Sequence, residues 1–167
     1  SLQALVWRTA EAGVLVFGDG PLIDPRIIDE AVTFFHAHNE YDFVGNDLAT
    51  SWPPGMEVEV FKMSALVDSS SRCADLATRE HVTLFMRQHP KIYRLYNIVA
   101  PAVLYRPDLS FEVDVVEDLE IVEAVLTRFV DRADLALAEI IGFMDDHPQL
   151  SAKTRHVKRR WKEYREQ

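Results

Sequence analysis

Residues 14–28, with the sequence VLVFGDGPLIDPRII, decide the fold class of this chain. Their first four residues form a short apolar run that is typical of a strand covered on both faces. Asp24 and Pro25 then supply an N-cap followed by proline at the first helical position, and apolar residues continue at helical spacing to Phe35. We therefore expect a strand, a turn and an amphipathic helix over residues 25–37.

Strands and helices alternate along the rest of the sequence. Apolar runs and alternating patterns predict further strands at residues 41–44, 57–61 (half-exposed), 93–99 and 111–113. Helical spacing predicts helices at 2–12 (ended by Gly13), 64–76, 79–88, 119–129, 137–144 and in the tail from residue 151. This alternation predicts an α/β fold with a mostly parallel sheet, flanking helices and a helical C-terminus.

Length and composition suit one domain with a hydrophobic core. The chain has 167 residues, of which 48% are apolar and 27% are charged. No run approaches the ~20 apolar residues of a membrane span, and no signal-peptide pattern opens the sequence. The lone cysteine, Cys73, excludes an internal disulfide framework and a cysteine-rich zinc site. We expect a cytoplasmic protein that does not act at a membrane.

Charge is distributed unevenly along the chain. The net charge of −9 disfavours a general nucleic-acid binder. Residues 151–167 nevertheless carry seven basic and two acidic side chains, a net +5, which leaves −14 on residues 1–150. The basic tail either meets a polyanion or, as the simpler interpretation, forms a solvated helix that touches the acidic body.

Two carboxylates follow predicted strands. Asp19 comes after the first strand, and Asp114 ends the strand predicted at 111–113. Ligands of α/β sheets gather beyond the carboxyl ends of the strands, and paired carboxylates suit Mg²⁺ completed by substrate phosphates. The alternative is that Asp19 shapes the turn before Pro21 while Asp114 caps the following helix.

A second candidate site is Arg79-Glu80-His81, at a predicted helix start after Thr78. Backbone amides and the helix dipole favour an anion at such a position, where arginine is able to clamp a carboxylate or phosphate. The alternative is a surface helix start with Thr78 as its N-cap. Within these 167 residues, the glycines form no phosphate-cradling loop between a strand and a helix.

Several short motifs, in order, resemble those of the sugar cytidylyltransferases, in particular the acylneuraminate and spore-coat polysaccharide branch. Residues 18–25 (GDGPLIDP) resemble the family's GDCPLIDP element, and residues 79–83 (REHVT) match its REHVT element. Asn46 lies in a segment similar to VSN-x6-P-x-G. Three further segments are similar to the family's GLDVEVF, VDTPEDL and D/EHPEL elements: residues 55–61 (GMEVEVF), 113–119 (VDVVEDL) and 146–150 (DHPQL).

The resemblance implies a Rossmann-like nucleotide-diphospho-sugar transferase fold that transfers CMP from CTP to a sugar acid and releases pyrophosphate. It implies that Asp19 and Asp114 hold Mg²⁺ over the triphosphate. It also implies that a set of polar residues binds the substrates: Asn46, Glu57, Glu59, Arg79, Glu80 and His81. On this basis residues 1–150 are a partial nucleotidyltransferase domain, followed by a basic C-terminal helix at 151–167.

The sequence also departs from the family pattern. In the family, an opening strand and a basic loop like RMxSSRLPGK bind CTP, and neither has a counterpart here. Two arginines of the family pattern are replaced in this sequence, by Thr50 and Ser110. We therefore expect a domain that is incomplete or weakly active alone. The alternatives are a non-catalytic binding or assembly module of the same fold, and a nucleotidyltransferase that uses another nucleotide. Because an exposed sheet edge is a liability, we expect a homodimer or a helix packed across it.

Overall fold

A computed structural model describes residues 10–132 and 134–159 of the chain. In this part, the strands are β1 (Ala12–Val16), β2 (Phe43–Gly45), β3 (Val58–Lys62) and β4 (Leu95–Asn97). The helices are α1 (Pro25–Ala37), α2 (Met63–Arg72), α3 (Leu76–Glu80), α4 (Leu84–Gln88), α5 (Val116–Arg128), α6 (Leu137–Asp146) and α7 (Pro148–Thr154), with a 3₁₀ turn at Ala102–Leu104. No helix within these ranges is long and apolar enough to cross a membrane.

The four strands form one mixed sheet in the order β1-β3-β2-β4. The α/β class is therefore confirmed, but the expectation of a mostly parallel sheet is wrong. Only β2 and β4 pair in parallel, whereas β3 runs antiparallel to both β1 and β2. The reason is that β2 reaches β3 through a loop without a crossover helix, so the chain is free to reverse its direction.

The two faces of β3 contribute to two separate cores. Val58 and Val60 belong to the larger core, to which α1, α5 and α6 also contribute buried side chains. Phe61 belongs to a smaller core with Phe43 and with residues of α2 and α4. The prediction of a half-exposed strand here is wrong, because helices cover both faces.

Asp24 joins the N-termini of two helices that are distant in sequence. One of its carboxylate oxygens accepts the backbone N–H of Arg26 at 3.0 Å, as the predicted N-cap of α1 should. The other oxygen accepts the N–H of Leu137, the first residue of α6, at 2.8 Å. Since Asp24 is buried, it fixes α1 and α6 against each other.

Three helices end on the same pattern, a phenylalanine followed four residues later by histidine. Each histidine Nδ1 lies 2.7–2.8 Å from the carbonyl oxygen of that phenylalanine, and the centroids of the two rings are 4.0–4.3 Å apart. The pairs are Phe34 and His38 after α1, Phe85 and His89 after α4, and Phe143 and His147 after α6. Each ring thus satisfies a carbonyl that the helix leaves without a partner.

Other predicted elements change in the structure. Residues 111–113 form no strand, and β1 is not covered on both faces, because Val14 is 48% exposed. Gly13 lies inside β1 and caps no helix, while most of the helix predicted at 2–12 falls outside the described residues. The basic tail is helical only to Thr154 within the described range, and residues 160–167 fall outside it.

Candidate functional site

Three loops meet beyond the sheet and form what we call the acidic rim: residues 17–21, 53–57 and 111–114. The backbone N–H of Val113 donates to the carbonyl oxygen of Asp19 at 2.9 Å, and that of Phe111 donates to Pro54 at 2.7 Å. The first hydrogen bond holds the loop of Asp114 beside the loop of Asp19, and the second holds it beside the 53–57 loop. The predicted approach of these two parts of the chain is therefore seen in the backbone.

Glycine allows this close approach at one position above all. Gly55 has a φ of +96°, which disfavours residues with a side chain, and a Cβ there would lie 2.6 Å from the carbonyl carbon of Phe111. Its N–H donates to the Glu57 carboxylate at 2.7 Å. Glu57 is buried and thus holds the loop in shape.

Asn46 also shapes this loop. Its side-chain amide donates to the carbonyl of Met56 at 2.7 Å, and its side-chain oxygen accepts the N–H of Val58 at 2.9 Å. The side chain is buried, so its hydrogen bonds join the end of β2 to the start of β3. Asn46 therefore has a structural role, because it stabilises the 53–57 loop of the acidic rim.

Asp19 and Asp114 are both exposed at the rim. Two carboxylates on adjoining loops suit a hard cation such as Mg²⁺, which commonly keeps water and takes phosphate oxygens as its other ligands. In the part of the chain that the structure describes, no group of three or more His, Cys, Asp or Glu side chains is placed to hold a metal. Two exposed carboxylates are too few to enclose a metal, so a cation held here would take its remaining ligands from water and phosphate.

Asp118 and Arg159 form an ion pair directly beneath Asp114. Arg159 contacts both oxygens of Asp118, at 2.7 and 2.5 Å, and one oxygen of Asp114 at 3.3 Å. Asp118 also accepts the backbone N–H groups of Asp114 and Val115, at 3.0 and 3.1 Å. Burial raises the pKa of Asp118, but the hydrogen bonds from Arg159 and these amides outweigh burial, so that the pKa lies below its usual value.

A buried network of ion pairs surrounds Glu59, on the face of β3 that packs against the smaller core. Arg87 contacts the carboxylates of Glu59 and Asp47, each at 2.8 Å, and the Thr83 hydroxyl donates to Glu59 at 2.6 Å. Burial and the neighbouring Asp47 raise the pKa of Glu59 to about 7, against the opposing effects of Arg87 and Thr83. Because Glu59 is fully buried, these contacts make it a support of the fold.

Arg79, Glu80 and His81 line a half-open cavity of about 460 Å³. Its other walls are mostly apolar and include Leu15 and Phe61. The expectation that these three residues begin a helix is wrong, because Asp75 caps α3 three residues before Thr78 and the helix ends at Glu80. The helix-dipole argument for an anion at this position therefore does not apply.

The predicted site residues thus separate into three places: the acidic rim, the cavity of Arg79, and the buried ion network of Glu59. The rim contains Asp19 and Asp114, with Asn46 and Glu57 supporting its loops, and none of these four lines the cavity of Arg79, Glu80 and His81. Sequence reasoning missed Arg87, Asp47 and Arg159. Arg159 was not distinguishable in a run of seven basic residues, since only the folded chain brings it to Asp118.

Comparisons with known proteins give two curated relatives. Spore coat polysaccharide biosynthesis protein SpsF of Bacillus subtilis is 28% identical over 138 residues, which cover 81% of this chain and 55% of that protein. An uncharacterised protein of Methanocaldococcus jannaschii is also 28% identical, over 92% of this chain and 60% of its own length. No protein-family model matches the chain.

A solved structure gives the fold. A cytidylyltransferase from Leptospira borgpetersenii superposes with a TM-score of 0.85 at 21% sequence identity, over 95% of this chain and 65% of that one. The fold is therefore that of a nucleotidyltransferase of the cytidylyltransferase type. The chain is thus similar in sequence to a spore coat polysaccharide biosynthesis protein and similar in fold to a cytidylyltransferase, in agreement with the resemblance seen in the sequence. The chain spans only 55–65% of the length of the proteins it matches.

Proposed function

We propose that this chain provides the metal-binding and substrate-side part of a nucleotidyltransferase that transfers CMP from CTP to a sugar acid. In this proposal Asp19 and Asp114 hold Mg²⁺ against the triphosphate of the nucleotide. The cation neutralises phosphate charge, which is the main requirement of transfer at phosphorus. The sugar acid lies within reach of Arg79, Glu80 and His81, whose cavity has charged groups at one side and apolar walls at the other.

The observation that carries the proposal is the hydrogen bond from Val113 to Asp19 at 2.9 Å. It joins two loops that are about 95 residues apart in sequence and leaves both acidic side chains exposed at one rim. Such a pair suits a cation that completes its shell with phosphate oxygens. The cytidylyltransferase fold supports CTP as the nucleotide, and we propose a cytoplasmic location for the chain.

A second candidate function is a non-catalytic binding or assembly module of the same fold. The observation that favours it is that two arginines of the family pattern are replaced here, by Thr50 and Ser110, because a threonine or serine cannot clamp a phosphate or carboxylate as arginine does. The two candidates differ in turnover. An enzyme releases pyrophosphate, whereas a module binds without releasing it.

The experiment is a coupled assay of pyrophosphate release with CTP, Mg²⁺ and N-acetylneuraminate as the sugar-acid probe. We expect slow release by the wild type that Asp19→Asn and Asp114→Asn abolish. Glu123→Gln is the matched control, because Glu123 is an exposed residue of α5 and the substitution changes the charge equally. Release by the Asp114→Asn variant at the wild-type rate would contradict the proposal. CTP binding without any release would favour the module, and release with ATP, GTP or UTP in place of CTP would reassign the nucleotide.

A further inference from the structure

We propose that Arg159 is a positioning residue for Asp114, and that it sets how well Asp114 binds a divalent cation. This inference rests on the proposed function, because it concerns the same metal. It assigns a specific task to one residue of the basic tail, which the sequence alone presents as a run of solvated charges.

The first argument is burial. Arg159 is 8% exposed, although its sequence neighbour Lys158 and the nearby Arg155 are exposed. Burying a guanidinium is costly unless it is paired and hydrogen-bonded. Its partner Asp118 is itself only 1% exposed and is bound through both oxygens, which is the strong fork-to-fork arrangement of arginine and carboxylate.

The second argument is that the guanidinium of Arg159 contacts the carboxylates of both Asp118 and Asp114. The Nη1 atom that binds Asp118 at 2.7 Å also lies 3.3 Å from one oxygen of Asp114. Asp118 holds the backbone of Asp114 through its N–H group at 3.0 Å. Asp118 therefore fixes the backbone of Asp114, and Arg159 fixes one oxygen of the Asp114 carboxylate. The other oxygen of that carboxylate remains available to a ligand.

The third argument is charge. Asp118 and Arg159 neutralise each other, so the cluster retains the single negative charge of Asp114 at the rim. Ligating carboxylates are commonly held by such hydrogen-bonded partners, and removing one typically weakens metal binding by about 10- to 100-fold. Just before Arg159, the ion pair of Lys153 with Glu120 anchors α7 to α5. The segment that carries Arg159 thus leaves the helix from a fixed point.

The test is Mn²⁺ binding to the full chain, measured by the EPR signal of free Mn²⁺ without nucleotide. The informative variant is Asp118→Asn with Arg159→Met, which removes the pair without changing net charge and leaves no buried charge unpaired. We expect its dissociation constant for Mn²⁺ to rise about tenfold or more. The control is Glu117→Gln with Lys158→Met, which is also neutral and alters neighbouring positions outside the cluster; it should bind as the wild type does.

The thermal midpoint of each variant is recorded so that loss of folding is not mistaken for loss of binding. If the double variant does not fold, Arg159→Lys replaces it, because an ammonium keeps the charge but lacks the fork that reaches both carboxylates. That variant should also weaken Mn²⁺ binding. Wild-type affinity in a folded Arg159 variant, with Asp114→Asn unable to bind, would overturn the role of Arg159 alone. Equal binding by wild type and Asp114→Asn would overturn the metal site as well.

Discussion

Replacing Glu59 with glutamine should remove most of the loss of stability that the protein suffers as pH rises toward 8. Glu59 is fully buried beside Asp47, and its pKa is raised from 4.5 to about 7. Between these two values the folded chain holds a proton that the unfolded chain has released, so the free energy of unfolding falls as pH rises. At 1.36 kcal/mol for each pKa unit, the contribution is about 3 kcal/mol.

The Glu59→Gln variant has no group to ionise at this position, and its amide resembles the protonated carboxyl in shape. Its oxygen is able to accept from Arg87, and its NH₂ group is able to donate to the hydroxyl of Thr83. We therefore expect wild type and variant to have similar stability at pH 5. At pH 8 the variant should be more stable by about 3 kcal/mol, because Arg87 then neutralises Asp47 alone.

The assay is urea unfolding of both proteins at pH 5, 6, 7 and 8, followed by tryptophan fluorescence. All other ionisable groups are common to both proteins, so their contributions cancel in the difference. Glu117→Gln at the start of α5 is the control for loss of one carboxylate, and its curve should run parallel to that of the wild type. Parallel curves for wild type and Glu59→Gln would refute the assignment of a raised pKa to this residue.

Gly55→Ala should destabilise the fold by about 3 kcal/mol or more in urea unfolding, because its φ is +96° and the backbone of the 111–114 loop is too close for a side chain. Gly18→Ala is the control: Gly18 has open space around it, so this substitution should cost less than about 1 kcal/mol. Asn46→Ala should cost about 2–4 kcal/mol in the same assay, since it leaves two buried backbone groups without partners. Wild type should be a dimer by light scattering and Val14→Lys a monomer, since β1 pairs on one side only within the described residues; a monomeric wild type would contradict the dimer.

The sequence predicted best where local chemistry is strong. Asp24 followed by Pro25 gave the start of α1, and the helical spacing of apolar residues at 137–144 gave α6. It predicted less well where long-range contacts decide. Residues 111–113 look like a strand, but they lie against the loops of Asp19 and Gly55, which use their backbone groups outside any sheet.

The position of the candidate site was also predictable in part from the sequence. Asp19 and Asp114 were placed at one rim from the ends of predicted strands, and their loops do meet. The direction of β3 was not predictable, because a loop of about a dozen residues permits either pairing. Glu59 looked like an exposed residue of an alternating strand, and only the packing of α2 and α4 on that face buries it with Arg87.

The most direct test of the account is titration calorimetry with CTP in the presence and absence of Mg²⁺. We predict that the wild type binds CTP only with Mg²⁺, and that Asp114→Asn weakens this binding at least about tenfold while Glu123→Gln leaves it unchanged. Equal affinities of Asp114→Asn and Glu123→Gln, or CTP binding that does not depend on Mg²⁺, would contradict the claim that the acidic rim holds the metal of a nucleotidyltransferase.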